Sequence, residues 1–243
     1  MGADSRVMRE LGLGPRWVRR DLAPAPAAVP ADAFPSGTQA VDASGVDRVR
    51  AVAGMDWAQL RASVAECTAC GLARTRRKTV FGVGGETAPW LFVGEAPGAD
   101  EDASGEPFVG QAGRLLDNML AAIGLRRGEA AFIANILKCR PPGNRDPEPA
   151  EAAACLPYLH RQIALLRPRL IVALGKVAAT GLLGGAPSLA GLRGRIHDYR
   201  GTPLVVTYHP SYLLRTPAGK ASAWEDLCLA RDTMRSLCGS PPD

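Results

Sequence analysis

Apolar positions along the 243-residue chain follow two different regimes. From about residue 56, short apolar runs alternate with segments in which apolar residues recur every three or four positions. The runs are WLFV (90–93), FIANIL (132–137), LIVAL (170–174) and LVVTYH (204–209). They are too short for helices and are bounded by Gly, Pro or polar residues, as buried strands are. Helical spacing is expected from Asp56, a ready N-cap, towards Leu72, and around 112–124, 148–166, 176–183 and 222–237. Four buried strands separated by helices predict an α/β fold. Its form is a three-layer α/β/α sandwich with a central, mostly parallel four-stranded sheet.

Upstream, the pattern disappears. Residues 23–45, APAPAAVPADAFPSGTQAVDASG, carry almost no large apolar side chains and cannot bury enough surface to order themselves. The expected organisation is a short N-terminal segment (1–22), an Ala/Pro-rich flexible linker (23–55), a folded domain (56–238) and a tail (239–243). The N-terminal segment can form a helix presenting Leu11, Leu13, Trp17 and Val18. It reads as a docking peptide for a protein partner or as a piece packing on the body.

In parallel sheets, ligands bind beyond the carboxyl ends of the strands. There this chain places Gly94-Glu95-Ala96-Pro97-Gly98, then Asn135 and Cys139, then Gly175, then His209-Pro210-Ser211. Polar, Gly-rich and Pro-rich residues collect where a pocket is expected.

Composition narrows the class. At 47% hydrophobic the chain can bury a core, and no apolar run is long enough to span a bilayer. MGADSRVMRELGLGPRWVRR lacks the apolar centre of a signal peptide, and Arg6 breaks the myristoylation pattern. A cytoplasmic monomer is expected. The net charge of +5 is compatible with a nucleic-acid partner. The densest basic run, Arg74, Arg76, Arg77 and Lys78, is equally readable as a solvated turn.

Six cysteines in a cytosolic chain argue for metal or cluster ligation, or plain burial, rather than disulfides. Cys67-x2-Cys70 is joined by Cys139 and, inside the next helix, Cys155. Four thiolates suit a structural zinc ion or an iron–sulfur cluster, and four unrelated buried thiols are the bland alternative. The wide second spacing leans towards a cluster. Cys228 and Cys238 read as incidental.

Several stretches now line up: C-x2-C at 67–70, GEAPGADED (94–102), EPFVGQAGRLLD (106–117), NILKCRPPGNRDPEP (135–149), Cys155, LIVALG (170–175) and TYHPSYLLR (207–215). Each is weak alone. As an ordered set, over roughly residues 60–237, they resemble the family 4, iron–sulfur branch of the uracil-DNA glycosylases. The resemblance implies a DNA repair enzyme that flips uracil out of single- or double-stranded DNA and hydrolyses its N-glycosidic bond, leaving an abasic site. It also implies a 4Fe–4S cluster on Cys67, Cys70, Cys139 and Cys155.

Residue by residue, the resemblance gives Phe108 the stacking role against uracil. Asn135 offers a donor and an acceptor to O4 and N3–H, opposite to what cytosine presents. His209 donates to O2 as charge collects on the leaving base. Gly94 and Glu95 complete the uracil site. Ser211 meets a phosphate, as do Arg215 and the Arg74–Lys78 run. Leu213 matches the wedge that fills the emptied stack, while its neighbour Leu214 packs. Against these stand bland readings: Phe108 as a core plug, Asn135 satisfying a loop, both leucines packing. His160 and His197 read as structural.

The chain departs from the superfamily pattern at two places. Ala96 stands where a water-orienting aspartate is found elsewhere, which leaves Glu95 first and Glu101 second as catalytic carboxylates, with Asp102 nearby. Gly98 stands where a tyrosine blocks the thymine methyl, so thymine must be excluded by another residue. Residues 140–149 lack the histidine with which one relative traps DNA covalently, and GRIH (194–197) lies too late in the chain to replace it. Hydrolytic turnover is expected. The alternative function is a DNA-binding or polymerase-associated module that keeps fold and cluster without chemistry. A further alternative is an altered base range.

Overall fold

The computed structural model describes residues 43–185 and 188–239. Helices α1 (Ala43–Gly54) and α2 (Trp57–Ala65) precede β1 (Trp90–Gly94), α3 (Ala99–Ser104), α4 (Gln111–Ala122) and β2 (Ala131–Asn135). Then come α5 (Pro149–Leu166), β3 (Leu170–Leu174), α6 (Lys176–Leu183) and α7 (Leu189–Leu192). The chain closes with β4 (Ile196–Tyr199), β5 (Thr202–Thr207), α8 (Pro210–Arg215) and α9 (Gly219–Leu237).

The strands form one sheet in the order β2-β1-β3-β5-β4. All pairings are parallel except β4 with β5. Alternation along the strands sorts the apolar side chains to two faces. Leu91, Val93, Phe132, Ala134, Ile171 and Val206 share one core with Leu60 of α2 and Leu159 of α5. Phe92, Ile133, Val172 and Val205 share the other with Leu116 of α4 and Leu227 of α9. Each large side chain so buried contributes about 1.5–3 kcal/mol, and the sheet is thereby the middle of three layers. From β1 the chain passes to β2 on one side and later to β3 on the other. Such a reversal opens a crevice at the carboxyl ends.

Two expectations need correction. The sheet has five strands, not four. β4 escaped because it has no apolar run: Ile196 is 50% exposed and only Tyr199 is buried. It is an edge strand held by a tight hairpin in which Arg200 and Gly201 both have positive φ, 51° and 85°. Secondly, the reach of the linker, set at 23–55, is too long, because residues 43–54 are helical. Tertiary packing orders this weakly apolar helix: Val52 is buried. Arg48 donates to the Ala154 carbonyl at 2.7 Å and lies over the Tyr158 ring. The N-terminal segment, the rest of the linker and the tail from residue 240 lie outside the described residues.

The expected cap at Asp56 is present, since its carboxylate accepts from the Gln59 N–H at 2.8 Å and Gln59 accepts in return. Yet α2 stops at Ala65, short of Leu72. Arg76 donates to the Ala65 and Cys67 carbonyls, which caps the helix end and leaves Cys67 and Cys70 in the turn beyond it. Among the described residues no helix is long and apolar enough to cross a membrane.

Candidate active site

A cleft of about 420 Å³ opens at the carboxyl ends of β1, β2 and β5. Glu95, Glu101, Phe108, Asn135, His209, Ser211 and Arg215 all line it, although they are spread over more than a hundred residues of chain. The segment after β2 contributes a wall through Pro141, Asn144, Arg145 and Asp146.

Asn135 ends β2 beside Gly94 at the end of β1. The residue is 2% exposed, and its Oδ1 has no hydrogen-bond partner among the described residues. Leaving a buried acceptor unpaired costs about 1–3 kcal/mol, so an orphan on a residue that lines a cleft marks a place where a donor binds. Gly94 makes this arrangement possible. A Cβ there would fall on Asn135 Oδ1 and 2.5 Å from the Phe108 ring. Below Asn135, the buried ammonium of Lys138 donates to its carbonyl at 2.9 Å and to Gln162 Oε1 at 2.7 Å. Gln162 in turn donates to the Phe81 carbonyl. Burial lowers Lys138 to about 8.

Phe108 stands beside Asn135 in a left-handed backbone conformation, φ 55°, at a cost on the order of 1–3 kcal/mol. Arg127 holds it there: its guanidinium donates to the Pro107 and Phe108 carbonyls, both at 2.8 Å, and pairs with Asp117. Arg127 was not among the expected site residues. Its partners are remote in sequence, and an arginine near a turn gives no other signal.

The two candidate carboxylates divide their roles. Glu101 is committed to the backbone: it accepts from Gly98 N–H at 2.9 Å, Val109 N–H at 2.9 Å and Gly110 N–H at 3.2 Å. It ties the Gly94–Gly98 loop to the Phe108 loop and has little capacity left for water. Asp102 is likewise occupied, accepting from the Arg77 N–H. Among the described residues the Glu95 carboxyl has no such partners. Burial, and then the nearby Asp146 charge, push it up to about 7. Asp146 is a second carboxylate at the cleft that the sequence reading passed over.

His209 is the N-cap of α8, with Pro210 at the first helical position. Gly175, at φ 88°, gives it room; a Cβ at 175 would sit 2.9 Å from His209 Cβ. The Ser211 N–H donates to His209 Nδ1 at 3.2 Å, and Ser211 Oγ lies 2.8 Å from the same nitrogen. A backbone N–H can only donate, so Nδ1 is an acceptor and the ring proton is on Nε2. Burial, then the Arg215 charge, lower His209 to about 4 against an opposing effect of Glu101. The imidazole is therefore neutral at pH 7. Its ring lies 5.5 Å from that of Phe108, centre to centre. Ser211 is turned towards this imidazole.

The two leucines exchange places relative to expectation. Leu213 is 1% exposed and belongs to the core shared with α4 and α9, whereas Leu214 is 42% exposed. The segment is a helix rather than a loop, so neighbouring residues point about 100° apart and only one of the pair can face inward. Neither lines the cleft itself.

Cys67, Cys70, Cys139 and Cys155 line one small cavity with Arg76 and Lys138. Arg76 donates to Cys139 Sγ at 3.3 Å, and the Lys138 N–H donates to Cys155 Sγ at 3.2 Å. Burial pushes the Cys155 thiol up to about 12. Among the described residues no three His, Cys, Asp or Glu side chains are close enough to hold one metal ion. Cys228 and Cys238 lie apart from this cavity. His197 bonds the Leu192 carbonyl, and His160 lies outside the cleft.

The sequence profile of the Uracil DNA glycosylase superfamily matches residues 81–230. A type-4 uracil-DNA glycosylase of Pyrobaculum aerophilum is 42% identical over 183 residues, covering 72% of this chain and 93% of that protein. One from Archaeoglobus fulgidus is 44% identical over 162 residues, covering 63% and 81%. One from Thermotoga maritima is 47% identical over 154 residues, covering 63% and 80%. With its mostly parallel sheet and the cleft residues of β1, β2 and β5 in the matched span, the chain belongs to the uracil-DNA glycosylase superfamily, in its type-4 branch.

Proposed function

We infer that this chain removes uracil from DNA, hydrolysing its N-glycosidic bond and leaving an abasic site. The observation that carries this reading is the unpaired Oδ1 of buried Asn135, in one cleft with Phe108 and a neutral His209. Uracil supplies what is missing. Its N3–H donates to Oδ1, its O4 accepts from the amide nitrogen, and its ring packs on Phe108. As the bond between C1′ and N1 breaks, the electron pair stays on the base, and the Nε2–H of His209 donates to O2 where that charge gathers. Water adds to C1′ and passes its proton to the Glu95 carboxylate. Glu101 and Arg127 act through the backbone that holds Glu95 and Phe108 in place.

The fourfold thiol set fits a 4Fe–4S cluster, with Cys67, Cys70, Cys139 and Cys155 as its ligands. The Arg76 and Lys138 cations, and N–H donors to sulfur, suit thiolates carrying negative charge. When bound, the cluster supplies a cross-link between the turn after α2 and the loop after β2.

Incubation with single- and double-stranded oligonucleotides carrying one uracil, followed by alkaline cleavage of abasic sites, tests the function. Strand cleavage at the uracil, from protein containing iron, is the expected result. A cluster-loaded protein that binds but never cleaves would favour the alternative of a DNA-binding module.

Because only the carboxylate of Glu95 accepts a proton, excision is expected to rise with pH up to and through about 7, then level off. His209 stays neutral down to about 4 and cannot produce that limb. In Glu95→Gln the limb should vanish along with most of the rate; its survival would remove Glu95 from the water step.

Exposed Leu214, on the same short helix as His209's neighbours, takes the wedge role that the resemblance implied for Leu213. Leu214→Ala is expected to slow excision from duplex DNA more than from single strands, since only a duplex must be held open. Leu213→Ala should instead cost about 2–5 kcal/mol of stability, read from denaturant unfolding. The reverse pattern would return the wedge to Leu213.

A further inference from the structure

Beside the cleft, three side chains form a stack that none of the uracil chemistry uses. Tyr208 and Tyr212 lie face to face, 4.9 Å between ring centres and 25° from parallel. The Arg193 guanidinium sits 4.1 Å from the centre of the Tyr208 ring. One ring face cannot hold both neighbours, so the order is Arg193, Tyr208, Tyr212. The inner end is fixed: Arg193 pairs with Asp226 at 2.7 Å and donates to the Ser222 carbonyl at 2.6 Å, and Asp226 is 1% exposed. The outer end is open. Tyr212 is 37% exposed and lines the cleft together with Arg215, on the same short helix as exposed Leu214.

A bare tyrosine held flat by a braced partner differs from one that merely covers a core. Its ring plane is set in advance, so a second planar ring can stack on it without ordering cost. The phosphate-binding candidate Arg215 stands on the same helix. A planar group tethered to a phosphate is a nucleotide. We propose that the outer face of Tyr212 is a nucleobase subsite, which stacks a base flanking the flipped uracil and so anchors the strand beside the cleft. Stacking is indifferent to base identity, since every base has a π-face. The subsite therefore adds affinity without restricting sequence context.

This inference rests on the cleft taking uracil in DNA, but its test reads binding rather than excision. The probe is a single-stranded oligonucleotide with one non-hydrolysable 2′-fluoro-deoxyuridine, and affinity is followed by fluorescence anisotropy. Tyr212→Ala is expected to weaken binding about 10-fold, while Tyr212→Phe and Tyr212→Trp stay within about 2-fold of the wild type. In a second arm, the base just 5′ or just 3′ of the uracil is replaced by an abasic analogue. At one of the two positions the wild type should lose about the same factor, and Tyr212→Ala should lose nothing further.

Unchanged affinity in Tyr212→Ala would overturn the proposal. So would additive losses at both positions, or a Tyr212→Phe as weak as the alanine variant. If the alanine variant does not fold, judged by its thermal midpoint, the abasic arm on wild type against Tyr212→Phe and Tyr212→Trp decides. A wild type indifferent to both abasic analogues then overturns it. Failure of the wild type to excise uracil, with these binding results intact, would count against the enzymatic reading and leave the subsite standing.

Discussion

Replacing His209 with alanine is expected to lower kcat on uracil in DNA by about 10²–10³-fold, with KM nearly unchanged. The expectation follows from where the ring proton lies. Ser211 presents its N–H to Nδ1, which fixes the tautomer with Nε2–H free to donate. The uracil O2 carries little charge in bound substrate and much more as the glycosidic bond opens, so the donor acts mainly in the transition state. Burial and Arg215 hold the imidazole neutral down to about 4. An imidazolium donor would make the rate fall as pH rises through 6 to 7; a neutral one leaves that region to Glu95. Steady-state kinetics of His209→Ala, beside the wild-type pH profile, check both parts. A variant within about 3-fold of wild type, or a wild-type rate that declines between pH 6 and 7, would sink the assignment.

The strands on which this site depends were legible because parallel strands are buried on both faces and appear as unbroken apolar runs. LIVAL at 170–174 and the helix at 176–183 lie where periodicity put them. β4 and α1 were not legible, since each is ordered by packing against the rest of the domain rather than by its own apolar content. The strand ends also gave the right neighbourhood for Glu95, Asn135 and His209. What one dimension withholds is facing. Glu95 and Glu101 lie close together in sequence, yet one is free at the cleft and the other is consumed by three backbone N–H groups. Leu213 and Leu214 are adjacent and chemically identical, and a helical turn decides which is core. Arg127 and Lys138 hold the loop and strand end that present Phe108 and Asn135, but nothing in their own sequence context announces those distant partners.

Asn135→Asp should remove most of the preference for uracil. The amide reads uracil because it pairs a donor with an acceptor in a fixed order: nitrogen towards O4, oxygen towards N3–H. Cytosine presents the opposite order and leaves both groups of the site unpaired. An aspartate of the same shape has two regimes. As a carboxylate it still accepts from N3–H, but it sets a charged oxygen against O4. That costs about 3 kcal/mol, or roughly two decades in rate on uracil. As a neutral acid it can carry its proton on either oxygen, and so complements both bases. Burial at this position, where Asn135 is 2% exposed, and the Glu95 carboxyl at the same cleft both favour the neutral form. Cytosine excision, negligible in the wild type, should therefore appear in Asn135→Asp and approach uracil excision in rate. The readout is the ratio of alkali-cleaved product from matched uracil and cytosine oligonucleotides. Taking the ratio cancels the Glu95 limb, which slows both reactions alike at low pH. A uracil-to-cytosine ratio unchanged from wild type would show that Asn135 is not the residue that reads the base.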